Sequence, residues 1–332
     1  MTILFYLLSI DCQGDDFFSK ILREKRFSLL IADYRDKTIG ALMYLVTGAT
    51  GSLGRRIVRQ LREEQEEVRA FVRLSAHFTE LEDRGAEIFI GDLKLERDII
   101  KACEEIRYII SSHGGMDAQA IDYRANIDLI DQATANKVEH FVFISVLGVD
   151  RGYQDSATFK AKREVEKYLI NSGLNYTILR PSGFANNLIP LAERCRDTGI
   201  YFSIGEQQNR SSIVSTDDLA KIAIASTKIE AAKNQIFAVG GPDILKREDI
   251  PRIFARLFNQ EPIVLNAPLQ ILDGLRLGIG LVNPRLNKSL GTLRTLLAHE
   301  FFCTRDEISG LESTFNLKME SLESFLRRYV GA

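Results

Sequence analysis

The chain has 332 residues, 45% hydrophobic and 27% charged, with a formal net charge of −2. That is ordinary globular composition, and a near-neutral balance without a dense Lys/Arg run gives no nucleic-acid-binding surface. Cys12, Cys103, Cys195 and Cys303 stand far apart and the four histidines show no ligand spacing, so scattered thiols of a cytoplasmic protein are expected, with no disulfide frame and no metal site.

Residues 1–42 fit poorly with the rest of the chain. The apolar run 3–10 is too short to span a bilayer. It has no basic region before it and no clean small-residue cleavage site after it. The expectation is that Met43 is the biological start and that 1–42 is an extension outside the fold.

A short apolar strand ending at Thr47 then leads into Gly48, Gly51 and Gly54, and into a helical pattern with Leu53, Ile57 and Leu61 on one face. Strand, glycine-rich turn and helix in that order are the context in which such glycines mean dinucleotide binding. Gly48 allows the tight turn, Gly51 the close approach of a pyrophosphate, and Gly54 the packing of helix on strand. The run Gly48, Ala49, Thr50, Gly51, Ser52, Leu53 and Gly54 is therefore the expected phosphate cradle. The helix N-terminus adds unpaired N–H groups and partial positive charge.

The second strand, Val68–Val72, ends at Arg73. An acidic side chain about 20 residues past the glycines would take a ribose 2′-hydroxyl. Arg73 stands there instead, and a guanidinium suits a 2′-phosphate through paired, charge-assisted hydrogen bonds. The expected cofactor is NADP, with NAD as the lesser reading. A third strand, Glu87–Ile90, is closed by Gly91, Asp92 and Leu93, where Asp92 would meet an adenine amino group. The fourth, Tyr108–Ser111, runs into Ser112, His113, Gly114 and Gly115, a loop beside the cofactor. Residues 120–135 read as a helix. Strand 141–144 is followed by Ser145, and strand 176–179 by Arg180 and Pro181. Strands alternating with helical segments mean βαβ units and a parallel sheet covered on both faces. Ligands sit at the carboxyl ends of such strands, the edge on which Ser111, Ser145 and Pro181 fall.

Past Pro181 the alternation loosens. Ser215 to Asp218 opens a helix with capping potential, 236–239 is another strand, and Ile250, Ile253, Phe254 and Leu257 mark an amphipathic helix. Thr304 with Glu307, and the run 322–329, suggest two closing helices. The expected architecture is α/β, a Rossmann-type doubly wound parallel sheet with a smaller C-terminal substrate lobe. Residues 43–260 form the NAD(P)-binding domain with lobe insertions after 181, and 261–332 the C-terminal helical part of the lobe. Within it, 269–282 is apolar but carries Asp273 and Arg276, too short and too charged to span a membrane. It reads as a lobe helix or as a surface for a protein partner or a peripheral membrane contact. Phe184, Asn186, Asn187, Leu188 and Phe202 are the expected wall of the acceptor site.

Several motifs in this order resemble the short-chain dehydrogenase/reductase superfamily, in its atypical NmrA-like branch. They are Val46-Thr-Gly-Ala-Thr-Gly-Ser-Leu-Gly54, Gly91-Asp-Leu93, Asn126 with Leu129 and Ile130, 141–145, Lys162-Arg-Glu-Val-Glu166, and Ser172 to Pro181. The resemblance covers roughly 43–260 well and the rest loosely. It is shared with NADPH-dependent quinone and isoflavone-type reductases and with cyanobacterial and chloroplast factors of photosystem II assembly. Catalytic members of the superfamily use Tyr-x-x-x-Lys, whose spacing puts both side chains on one helix face. The lysine lowers the phenol's pKa and holds the nicotinamide ribose. None of the ten tyrosines here has Lys four residues on. Lys162 stands at the lysine's place, but Thr158 stands at the tyrosine's, and Tyr153 is the nearest phenol, in the preceding loop. By the resemblance, Lys162 binds ribose and Ser145 occupies the region of the superfamily's catalytic serine.

The missing phenol leaves two readings. The preferred one is a reductase passing hydride from NADPH to a quinone or another conjugated small molecule that needs little acid assistance. The alternative is a non-catalytic, dinucleotide-binding redox sensor or assembly factor with a protein partner. Oligomeric state is left open by the sequence.

Overall fold

The computed structural model describes residues 43–331 except 154 and 283, and the side chains of 43–276 and 290–331 except 154. The expectation for residues 1–42 lies outside the described residues. Six short strands come first: β1 (Tyr44–Thr47), β2 (Val68–Val72), β3 (Glu87–Ile90), β4 (Tyr108–Ser111), β5 (His140–Ile144) and β6 (Tyr176–Pro181). Two lobe strands come next, β7 (Ile200–Ile204) and β8 (Arg210–Ser211), and then β9 (Gln235–Val239) returns to the sheet. The seven-stranded sheet has the order β3-β2-β1-β4-β5-β6-β9 and every pair in it is parallel. This is the Rossmann-type doubly wound order. Its direction reverses between β1 and β4, which opens a crevice at their carboxyl ends.

Side-chain alternation along the strands builds a core on each face. Tyr44 and Val46 of β1 join Ile57 and Leu61 of α1 (Ser52–Glu63) on one side. Leu45 points the other way, into a core that contains residues from the helices after β3, β4 and β5. In chain order the helices up to there are α2 (Thr79–Asp83), α3 (Glu96–Ala102), α4 (Ala125–Ala135) and α5 (Ala157–Ile170), and Ile99, Ile130 and Val165 are their buried contributions. The predicted helix 120–135 differs in one respect. It begins earlier, at Ala118, as a π-helical turn over Ala118–Arg124 that α4 then continues. The Asp117 carboxylate caps the turn at the Ala120 amide, and the Asn126 side chain donates to the Asp122 carbonyl inside it.

Beyond β6, α6 (Ile189–Thr198), β7, α7 (Thr216–Ala225) and α8 (Ile250–Phe258) alternate with irregular segments. β10 (Leu245–Lys246) pairs antiparallel with β8, and β11 (Ile263–Ala267) pairs parallel with β7. The lobe has its own core, with Cys195, Tyr201, Phe254, Leu257, Phe325 and Leu326 at its centre. The last helices are α9 (Leu269–Val282), α10 (Pro284–Ala298), α11 (Arg305–Phe315) and α12 (Leu322–Val330). Residues 261–332 divide between the two regions. α12 belongs to the lobe core, whereas Ile308, Leu311 and Phe315 of α11 pack on the sheet, with the Phe315 ring 5.2 Å from that of Phe237 in β9. In α9, Leu272 is buried while Ile271 and Leu275 are exposed. Among the described residues no helix is long and apolar enough to cross a membrane.

α1 is seated by a close backbone approach. A Cβ on Gly54 would lie 2.1 Å from the Gly48 carbonyl oxygen and 2.8 Å from the Ala49 Cα, atoms of a turn that cannot yield. Alanine at a helix interior gains about 1 kcal/mol over glycine, but an overlap of this kind costs about 3 kcal/mol. Gly54→Ala is therefore expected to destabilise the chain by ~2 kcal/mol in urea unfolding. Gly310→Ala in α11, where an added Cβ meets nothing within 4 Å, serves as the comparison and should stabilise. Equal midpoints for the two variants would remove the steric account.

Candidate functional site

The turn after β1 is formed for close contact with a ligand. Gly48 has φ +71°, and a Cβ there would lie 2.7 Å from the His113 backbone, so the turn presses directly against the loop after β4. The Gly51 amide donates to the Gly48 carbonyl at 2.9 Å, and the Arg55 amide to the Gly51 carbonyl at 3.0 Å, which starts α1 at once. Gly51 is the N-cap of α1, with no side-chain cap and no acidic residue in the first turn. By contrast α5, α7, α11 and α12 are capped by Ser156, Ser215, Thr304 and Ser321. The free N–H groups of α1 thus open towards the crevice, the arrangement that receives an anion.

The crevice is a cavity of about 760 Å³ at the carboxyl ends of β1 to β4. It brings together ten residues singled out by sequence: Gly48, Thr50, Gly51, Arg73, Asp92 and Leu93, with the loop Ser112, His113, Gly114 and Gly115. Arg73 is exposed at its rim, and among the described residues its guanidinium has no ion-pair partner. Asp92 is positioned by its amide donating to the Asp98 carboxylate at 2.9 Å, while its own carboxylate accepts from the Lys94 amide at 3.0 Å. Ser112 donates from its hydroxyl to the Thr47 carbonyl.

Other expected residues lie behind or beside this wall. Ala49 and Leu53 are buried in the core, Ser52 begins α1, and Gly54 is the packing contact described above. Ser111 is buried and donates to the Asn126 side-chain oxygen at 2.6 Å. Pro181 ends β6, its carbonyl accepting from the Leu147 amide at 3.0 Å. Ser145 is 4% exposed, and its hydroxyl has no hydrogen-bond partner among the described residues. Lys162 is buried, not solvated. Its ammonium donates to the Ile144 carbonyl at 2.7 Å and sits 4.9 Å from the centre of the Phe143 ring. Burial pushes its pKa down, while the carboxylates of Asp122 and Glu166 pull it back up. Ser145, Lys162 and Pro181 therefore share the carboxyl edge of β5 and β6.

Phe71, Lys94, Met116, Asp117 and Ile121 line the cavity without having been singled out. Phe71 carried a usable signal, since it lies two residues before Arg73 and so on the same face of the strand. The loop residues carried none. Tyr153 packs its ring against His299, Phe159 and Phe301 at 4.7, 5.3 and 5.7 Å, an aromatic cluster and not a ligand wall. Of the expected acceptor wall, Asn186 accepts a hydrogen bond from Arg56, and Phe202 is exposed beneath Arg194. Among the described residues no group of three or more His, Cys, Asp or Glu side chains is arranged to hold a metal ion.

The profile of a family described as NAD(P)H-binding matches residues 48–229. The chain is 30% identical over 305 residues to a photosystem II assembly factor, Ycf39, of Guillardia theta, covering 86% of this chain and 94% of that one. It is 28% identical over 218 residues to an NAD(P)H azoreductase of Xenophilus azovorans, covering 63% and 71%. Among solved structures it is similar to an NADPH-dependent quinone oxidoreductase of Escherichia coli complexed with NADPH. That likeness has a TM-score of 0.71 at 18% identity and covers 86% of this chain and 99% of the other.

Two buried histidines, His113 in the cavity wall and His140 at the start of β5, make stability pH-dependent. The Nε2 of His113 lies 3.1 Å from both the Ile121 carbonyl oxygen and the Asn126 amide nitrogen, and its Nδ1 lies 2.8 Å from the Thr47 hydroxyl. Burial, with Lys162 near by, lowers His113 to about 3. Burial lowers His140, bonded to the Thr177 hydroxyl at 2.8 Å, to about 4. Above the ordinary value of 6.5 both states of the chain hold these rings neutral. Below it only the unfolded chain takes up the protons, so folding stability is full near pH 7 and falls as pH drops towards 4. Each ring should contribute a slope of ~1.4 kcal/mol per pH unit. Urea unfolding at pH 7, 6 and 5 should show this loss, and His140→Gln should remove one ring's share; a flat profile would refute the neutral assignment.

Proposed function

The chain belongs to the NAD(P)H-binding family, in the NmrA-like branch of the atypical short-chain dehydrogenase/reductases, and we propose that it is a reductase passing hydride from NADPH to a quinone or another conjugated small molecule. The observation that carries the reading is the pairing of an α1 N-terminus without a side-chain cap with the Arg73 guanidinium, which has no ion-pair partner among the described residues, across one cavity. The turn Gly48 to Gly51 and the α1 amides would hold the pyrophosphate. Arg73 takes the 2′-phosphate, and Asp92 and Leu93 meet the adenine. Ser111 and Ser112 hold the loop behind it. Lys162 and Ser145 stand at the nicotinamide end, with Pro181 closing that edge. The bound cofactor supplies the hydride; the chain's own residues orient it, keep water from the buried end and hold charge beside it.

A second reading has a specific support. The relative covered over 94% of its length is an assembly factor, the Tyr-x-x-x-Lys pair is absent, and the Lys162 ammonium is already engaged in a hydrogen bond to the Ile144 carbonyl. In that reading nucleotide occupancy is sensed by a protein partner and no acceptor turns over. The reductase acts in the cytoplasm, and the assembly role places the chain against a membrane-bound partner.

Titration with NADPH and NADH, followed by a screen of quinones for NADPH consumption, tests both. Arg73→Ala removes charge-assisted hydrogen bonds worth about 1.5–3 kcal/mol. NADPH binding should therefore weaken by roughly 10- to 100-fold while NADH binding holds. Equal losses for both nucleotides would remove Arg73 from the 2′-phosphate. Tight NADPH binding without turnover of any acceptor would select the assembly reading.

A further inference from the structure

Among the described residues, Asp122 is the one whose side chain has two buried polar atoms without a hydrogen-bond partner. It lies on the π-helical turn, is 1% exposed, and neither oxygen has a hydrogen-bond partner among the described residues. A buried polar group left in this state calls for a functional account. It stands directly beneath the loop that lines the cofactor cavity, since a Cβ on Gly114 would lie 3.3 Å from its Oδ1. The Thr158 hydroxyl and the Gly115 amide stand beside it, near enough to its oxygens to act on its ionisation. Thr158 in turn lines a neighbouring cavity of about 530 Å³, together with Tyr123, Ala161 and Thr292. That cavity and the cofactor cavity share Met116 and Asp117.

We propose that Asp122 is the proton source that replaces the missing phenol, with the Thr158 hydroxyl as its relay to an acceptor in the neighbouring cavity. The proposal rests on the reductase reading. When hydride reaches a quinone, the developing oxyanion takes the proton of the Thr158 hydroxyl, which takes the Asp122 carboxyl proton in the same movement. The products are hydroquinone, oxidised nicotinamide and an Asp122 carboxylate, which solvent reprotonates. A threonine is too weak an acid to serve alone, but as a relay it gains one proton as it loses another. The charged groups facing Asp122 are few. Lys162 on α5 favours the carboxylate, Asp117 at the head of the same turn opposes it, and His113 on the adjoining loop is neutral. Burial is the largest influence and pushes the Asp122 carboxyl up from the ordinary carboxylate range. The buried Lys162 ammonium then stabilises the anion left by the transfer.

The test compares two acceptors under NADPH. A quinone needs hydride and a proton, whereas a triarylmethyl cation dye takes hydride alone and becomes neutral. Asp122→Asn should raise the ratio of dye to quinone reduction rates about 100-fold, the scale of a lost general acid. Thr158→Val, at a half-buried site, should shift the ratio the same way and guards against a folding defect in the first variant. Independently of turnover, the infrared spectrum of the free chain at pH 7 should contain the C=O stretch of a protonated carboxylic acid that Asp122→Asn abolishes. An unchanged ratio in both variants, or no such band, overturns the proposal and leaves the reductase reading standing. Reduction of neither acceptor by the unaltered chain overturns both.

Discussion

The geometry of the site depends on one close approach of backbone to backbone. The turn after β1 is held between α1 and the loop after β4, with no room for a side chain at Gly54 or at Gly48. Because α1 cannot stand further off, its first amides face the point where the sheet order reverses. Their lack of a cap then becomes an electrostatic feature and not a defect. The opposite wall is tied to the same strand by Thr47, which bonds His113 through its hydroxyl and Ser112 through its carbonyl. His113 passes the constraint on to the Ile121 carbonyl and hence to the π-helical turn. Strand, loop and turn are thus joined by one chain of hydrogen bonds around the cavity.

A second constraint is electrostatic. Arg180 pairs with both oxygens of the buried Glu166 carboxylate at 3.0 and 2.6 Å and reaches Asp150 at 2.9 Å. Glu166 lies one turn along α5 from Lys162. Burying charges is costly and seldom stabilises a fold by itself. Here the charges alternate in sign along the carboxyl edge of β5 and β6, so each has an opposite neighbour. The ring of Phe143 faces the Lys162 ammonium, an additional favourable contact for a partly desolvated cation. His113 stays neutral and adds no like charge beside Lys162. Such a row fixes the orientation of these groups at the carboxyl edge more than it adds stability.

The fold was legible because its signals are local. Apolar strands without alternation, each followed by a helix, report a sheet buried on both faces, and Gly48, Gly51 and Gly54 mark where the ligand edge lies. Arg73 could be placed because a strand end fixes its position. What the sequence hid depends on contacts across long separations. The sequence places Lys162 only by resemblance, and the arrival of Ile144 and Phe143 is what shows that it is buried. Asp122 reads as a polar residue in a helical run, since a π-helical turn has no distinct composition. The division of 261–332 between two cores was hidden for the same reason. An amphipathic helix such as α11 announces that it has a buried face, but not which surface receives it.

The loss of a phenol narrows the chemistry without abolishing it. A carbonyl acceptor such as a simple ketone forms a basic alkoxide as hydride arrives, and without a strong acid at hand that anion is too costly. A quinone forms an anion already stabilised by its own conjugation, so weak hydroxyl or amide donors suffice to hold it. The same comparison bears on the assembly-factor reading. A site that binds the dinucleotide firmly but serves few acceptors is occupied most of the time, and occupancy is the quantity a partner protein can sense. The two readings therefore differ in one physical respect, whether hydride leaves the bound dinucleotide for an acceptor at all or the dinucleotide stays in place to be sensed.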